Sequence, residues 1–216
     1  MEIQIVLSVI VCYLLGSIPT AVLYGRVFHG VDVRQYGSGN AGATNTLRTL
    51  GKQAGVIVMI FDVLKGWLAT YSATYLVVIG AIPEQHLMIY KIGFGIVSVI
   101  GHIFPIFARF KGGKGIACLL GMILAINLEI AMICIAVFAI VFLLSKYVSL
   151  GSMLATLAFP VVILLFPRFN DGGPLVIVFG FAIFSIVVLT HQKNIIRLIN
   201  GEESKVRLGS KRDDKK

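Results

Sequence analysis

The chain alternates long apolar runs with short polar breaks. A bilayer core about 30 Å thick needs about 20 apolar residues as helix. That length marks out segments 3–25, 54–82, 87–107, 116–128, 130–145, 148–167 and 174–190. The expected fold class is all-α, a polytopic integral membrane protein with seven transmembrane helices, one of them short. The short one is the fourth, because the stretch from Ile116 to Asn127 rises only about 18 Å at 1.5 Å per residue. Two readings of 116–145 compete, and the distribution of basic residues favours the second. The stretch is either one long helix interrupted at Glu129, or a short helix, a turn at Asn127–Glu129 and a second helix. The run Phe169-Asn170-Asp171-Gly172-Gly173-Pro174 reads as an external turn. The first segment exceeds a signal-peptide core, lacks a basic lead and follows Glu2, so a retained helix is expected there. No internal repeat is visible.

Composition agrees with burial in lipid. Hydrophobic residues make up 57% of the chain and charged ones 13%, against roughly 25% charged in soluble domains. One membrane-embedded domain over 1–203 is expected, followed by a basic cytoplasmic tail, 204–216, whose charge favours disorder. The formal net charge is +9. Basic residues concentrate on cytoplasmic loops of membrane proteins. With the N-terminus outside, seven crossings bring all 19 basic residues except Lys65, Lys91 and Arg168 to the cytoplasmic side, the C-terminus with them. The excess is therefore topological and implies no nucleic acid. Cys12, Cys118 and Cys134 lie in apolar stretches without ligand-like spacing and read as small buried hydrophobes.

Three polar stretches carry candidate chemistry. The first, GSGNAGATNTLR at 37–48, is read as a loop between apolar segments. Gly37, Gly39 and Gly42 match a dinucleotide fingerprint by letters, but the flanks are membrane helices rather than a βαβ unit. What remains is anion recognition. Glycines let backbone N–H groups approach a phosphate. Ser38, Asn40, Thr44 and Asn45 add neutral donors, and Arg48 adds a planar fork. In the second stretch, 101–115, Pro105 breaks an apolar helix end that bears His102. Lys111 and Lys114 then flank Gly112-Gly113, offering point charges and free amides, and Gly115 marks a helix start. The third stretch begins where the last segment ends: His191, Asn194 and Arg197 recur on one helix face. Ser149 and Ser152, at a further cytoplasmic junction, add hydroxyls. Asp62 and Lys65, inside the second segment, read as a structural pair, since isolated charges at membrane depth are costly.

All three stretches fall on the same expected side of the membrane. Together they hold cations, small donors and two histidines, but no carboxylate cluster of the kind that holds magnesium. Phosphate recognition by protein donors alone is expected, with no metal and no cofactor.

GSGNAGATNTLR, GHIFPIFARFKGGKG, YVSLGS and HQKNIIRLINGE, in this order over nearly the whole chain, resemble one family. It is the bacterial membrane glycerol-3-phosphate acyltransferase family that uses acyl phosphate as donor. The resemblance implies a seven-helix enzyme of the inner (plasma) membrane with its active site at the cytoplasmic face. It implies transfer of a fatty acyl group from acyl phosphate to glycerol 3-phosphate, giving 1-acyl-glycerol 3-phosphate and phosphate. Membrane lipid is its surroundings, and a monomer is expected to function. By motif match, Ser38 and Arg48 correspond to the family's essential serine and arginine. Gly112, Gly113 and Lys114 fall in its glycerol-phosphate loop, His191 and Asn194 match its catalytic pair, and Glu202 its structural glutamate. Cys118 departs from the family's usual threonine. The proton acceptor is open between His191 and a substrate phosphate. Direct transfer is favoured over an acylated Ser38, because no activating base beside it is evident. The rival functions are a lipid-phosphate phosphatase and an organic-phosphate transporter.

Overall fold

The computed structural model describes residues 2–170 and 172–206, and all regular structure among them is helical. Asp171 of the external turn and residues 207–216 of the basic tail lie outside the described residues. The chain forms two compact units, Met1–Ala131 and Met132–Lys216.

In the first unit, the leading apolar segment is two helices rather than one. Helix α1 (Glu2–Ser17) and α2 (Thr20–His29) meet at a bend of 44°. Pro19 causes it: proline brings no N–H to the helical ladder and disfavours helix in the residue before it. The bend leaves the Ile18 carbonyl open to a side chain, and Lys65 donates to it at 2.9 Å. A short polar helix, α3 (Ala43–Leu50), precedes the 27-residue α4 (Lys52–Val78). Helix α5 (Leu87–Ile103) follows, ending ahead of Pro105.

Helix α6 (Ile116–Ile126) has 11 residues and rises about 16 Å. Of the two readings of 116–145, the structure has the short helix, a break and then α7 (Leu128–Ser145). The break is one residue. Asn127 is extended, and its side-chain oxygen accepts from the Ile130 N–H at 3.0 Å, starting the next helix. Lys91 of α5 donates to the Ala125 carbonyl at 3.1 Å, satisfying an end that hydrocarbon would leave bare. Helices α4 and α6 pack backbone to backbone: a Cβ on Gly66 would strike the Cys118 carbonyl, and one on Gly121 the Val63 carbonyl. Small residues permit this approach where lipid gives no hydrophobic drive between helices.

The second unit contains α8 (Val148–Leu165), α9 (Gly173–Thr190) and α10 (Gln192–Ile199). Pro160 sits inside α8, and Gly180 of α9 packs against it and Phe159. Among the described residues, five helices are long and apolar enough to cross a membrane, and six if the bent α1–α2 pair counts as one. Helix α6 is the further apolar element, too short to cross alone.

Candidate active site

The first polar stretch is only half loop. Residues 37–42 are irregular, but Ala43–Leu50 is helical, so Thr44, Asn45 and Arg48 stand on α3. Gly42 enters the helix extended, and the Thr46 hydroxyl donates back to the Gly42 carbonyl at 3.1 Å. A short polar helix leaves no trace in a hydropathy profile, which is why the whole stretch reads as loop.

Asn45 shapes the turn before it. Its buried amide oxygen accepts from the Ser38 N–H at 2.8 Å and the Ser38 hydroxyl at 3.1 Å. Its amide nitrogen donates to the carbonyls of Val33 and Tyr36 at 2.8 and 3.1 Å. All its strong valences are spent inside the protein, so Asn45 is a clamp and not the ligand donor expected. Gly37 (φ 58°) lies against it, where a Cβ would meet the Asn45 amide oxygen. Gly37, Ser38 and Gly39 are exposed, Asn40, Thr44 and Arg48 half-buried, and Gly42 buried.

The second stretch corrects a further expectation. The Gly112 and Gly113 amides are not presented outward. They donate to the Ile103 and His102 carbonyls at 3.1 and 3.2 Å, closing the end of α5. The glycines are there for closeness: a Cβ on Gly112 would strike the His102 carbonyl, and one on Gly113 the His102 ring. Lys111 is exposed and Lys114 half-buried. Gly115 (φ 83°) caps α6, as its position before the apolar run implies.

The two stretches meet. A Cβ on Gly113 would lie 3.1 Å from the Ala41 carbonyl. Arg34 donates from Nη1 to the Ala108 and Lys111 carbonyls at 3.0 and 3.3 Å. Its Nε and Nη2 grip Asp32 at 3.0 and 2.7 Å. The Arg34 guanidinium holds the Asp32 carboxyl well below the usual carboxylate range, against the opposing effect of burial. Neither residue stood out in the sequence beyond its charge. The Asp-x-Arg spacing was the available signal, because an aspartate can cap a turn and hold an arginine two residues on.

Under these loops lies a buried polar group. Lys65 Nζ is 2.9 Å from Asp62 Oδ1, Thr20 donates to the same oxygen at 3.0 Å, and His102 Nδ1 lies 3.6 Å from it. Asp62, Lys65 and His102 are all buried. The ammonium, satisfied by both the carboxylate and the bent-helix carbonyl, avoids the cost of an unpaired buried charge.

In the second unit, His191 ends α9 and is buried. Its Nδ1–H donates to the Val187 carbonyl at 2.8 Å, which in the neutral ring puts the lone pair on Nε2. Asn194 donates to Glu203 Oε1 at 2.7 Å, Ser149 to the same oxygen at 2.8 Å, and Arg197 to Oε2 at 2.8 Å. Ser152 is buried one turn beyond Ser149. The structural glutamate is thus Glu203 and not Glu202, which is exposed. After α10 the chain turns at Gly201 (φ 73°), the Glu202 and Glu203 amides both donate to the Arg197 carbonyl, and the second acid is carried inward. Burial pushes the Glu203 carboxyl up, but its bonds to Arg197, Asn194 and Ser149 together outweigh that and lower it.

Comparison with known proteins places this arrangement. A family model described as glycerol-3-phosphate acyltransferase matches residues 6–201. The chain belongs to the glycerol-3-phosphate acyltransferase family. Relatives of that name include one from Salinibacter ruber, 41% identical over 91% of this chain and 90% of its own. Another, from Endomicrobium trichonymphae, is 39% identical over 96% and 98%. A crystal structure of PlsY, an integral membrane glycerol 3-phosphate acyltransferase in its glycerol 3-phosphate form, matches this family member with a TM-score of 0.82. The two are 35% identical over 94% of this chain and 96% of that one. The lysophosphatidic acid form of PlsY matches with a TM-score of 0.79 at 34% identity, over the same shares.

Proposed function

We propose that the protein is an integral membrane enzyme that acylates glycerol 3-phosphate, with acyl phosphate as donor and 1-acyl-glycerol 3-phosphate (lysophosphatidic acid) and inorganic phosphate as products. The carrying observation is the near-full-length match to PlsY in forms named for glycerol 3-phosphate and lysophosphatidic acid. Seven crossings, with α1–α2 as one and α6 as the short fourth, put the N-terminus outside and the C-terminus, the active site and most basic residues in the cytoplasm. The membrane is the bacterial inner membrane, and a monomer suffices.

The chemistry follows from the donors present. Lys111 and Lys114, held in place by the Gly112–Gly113 turn, neutralise the phosphate of glycerol 3-phosphate. Ser38 and Arg48 address the acyl phosphate, with Gly39, Asn40, Gly42 and Thr44 shaping the turn around it. The acceptor hydroxyl attacks the acyl carbon, the new ester C–O bond forms, and the bond to phosphate breaks with its electron pair leaving on phosphate. The hydroxyl proton passes either to an oxygen of the substrate phosphate or to His191 Nε2, whose lone pair the Val187 bond keeps in place. In the same unit Asn194 and Ser149 hold Glu203, and Ser152 lies one turn beyond Ser149. A good leaving group is already present, so positioning carries much of the rate.

The test is an assay of purified protein with acyl phosphate and labelled glycerol 3-phosphate in the presence of a chelator. Labelled 1-acyl-glycerol 3-phosphate and phosphate are expected in equal amounts. Phosphate release that ignores glycerol 3-phosphate identifies a phosphatase instead.

A further inference from the structure

We propose that Arg34 is a positioning residue for glycerol 3-phosphate: it holds the turn at Arg109–Phe110 and so sets the place of the lysines that follow. Arg109 (φ 55°) and Phe110 (φ 58°) are consecutive non-glycine residues in the left-handed region. Side-chain-bearing residues resist that conformation, and it persists only where neighbours impose it. The turn's own bonds are Phe110 N–H to the Pro105 carbonyl at 2.8 Å and Lys111 N–H to the Ala108 carbonyl at 3.3 Å. Arg34 supplies the rest. Its Nη1 donates to the carbonyls on either side of the left-handed pair, Ala108 and Lys111.

The guanidinium cannot swing away. Its Nε and Nη2 form a two-point grip on Asp32, which also accepts from the Arg34 N–H at 3.1 Å and from Arg26 at 2.9 Å. The plane of the fork is therefore fixed, and the remaining nitrogen points at the turn. Arg34 itself stands four residues before Ser38, whose N–H and hydroxyl bind Asn45. It thereby links the conformations of the two glycine stretches. A lysine keeps the charge but has no fork, so it cannot serve Asp32 and both carbonyls together.

The proposal rests on the function given above, and its test separates the two. In the full-length enzyme, R34K is expected to raise KM for glycerol 3-phosphate about tenfold and leave that for acyl phosphate within about twofold. Hydrogen exchange over residues 108–113 is expected to quicken in the same variant. Adding F110G to R34K is expected to lower KM again, since glycine takes the left-handed conformation without penalty. Wild-type KM and wild-type exchange in R34K overturn the proposal, as does an equal rise in both KM values. If R34K does not fold, D32N carries the same expected split and the same overturning outcomes. A wild-type protein that makes no acyl product sinks the function, while exchange still decides Arg34.

Discussion

Asn45 shows how much of the candidate site is framework. It contributes four hydrogen bonds that fold residues 33–38 around its buried amide. An alanine there leaves buried backbone groups without partners, at about 1–3 kcal/mol for each one that water cannot reach. N45A is expected to lose about 2 kcal/mol or more of stability in thermal unfolding, together with nearly all activity. N45D is expected to be no better, because a carboxylate accepts from Ser38 but cannot donate to the Val33 and Tyr36 carbonyls. His191 tests the chemistry rather than the frame. H191Q keeps a donor toward Val187 but loses the basic nitrogen, so kcat is expected to fall about 100-fold or more and the pH–rate profile to change with it. A small loss with an unchanged pH profile moves the proton to the substrate phosphate. The residue types in these stretches were legible as phosphate-binding chemistry, but which of them face a ligand was not. Composition does not tell whether an asparagine or a glycine amide is spent inside the fold, as those of Asn45, Gly112 and Gly113 are.

At the scale of elements, hydropathy recovered the long helices because lipid demands length and apolarity. It missed what lipid does not dictate: the bend at Pro19, the polar helix α3, and the inward turn that selects Glu203. Two adjacent glutamates are equivalent in sequence, and the Gly201 turn decides between them. Glu203 joins α8, α10 and the residues after it. Its carboxyl is lowered in the folded protein from the ordinary 4.5. A depressed acid stabilises the fold above its unfolded pKa, and that contribution is lost as pH falls through the folded value. Wild-type stability measured against E203Q is therefore expected to show an advantage at neutral pH that shrinks below about pH 4.5. E202Q is expected to stay within about 0.5 kcal/mol of wild type throughout. The α4–α6 contact has a separate role, since α6 starts at Ile116, directly after the lysine loop and its Gly115 cap. G121V forces the Val63 backbone away and is expected to lower the unfolding temperature and weaken glycerol 3-phosphate use together.

For the whole molecule, the decisive property is which side each loop faces. Charge answers it more directly than hydropathy does. The polar breaks near 26–52, 109–114 and 146 and the segment from 193 onward hold nearly all the basic residues. Basic loops resist translocation, so their side is fixed as the protein inserts. The short α6 bears on the same question. Counted as a crossing, it puts the lysine loop and the C-terminal segment on one side, although α6 alone covers only about half of a 30 Å core. Left as a partial insertion, it puts them on opposite sides. A protease-cleavable tag at the C-terminus and a single reactive cysteine at position 111 distinguish these arrangements in sealed inside-out vesicles. Cytoplasmic placement predicts that both react from outside such vesicles and neither in intact spheroplasts. Reaction of the two sites from opposite sides removes α6 as a crossing and, with it, any one-sided active site for two phosphorylated substrates.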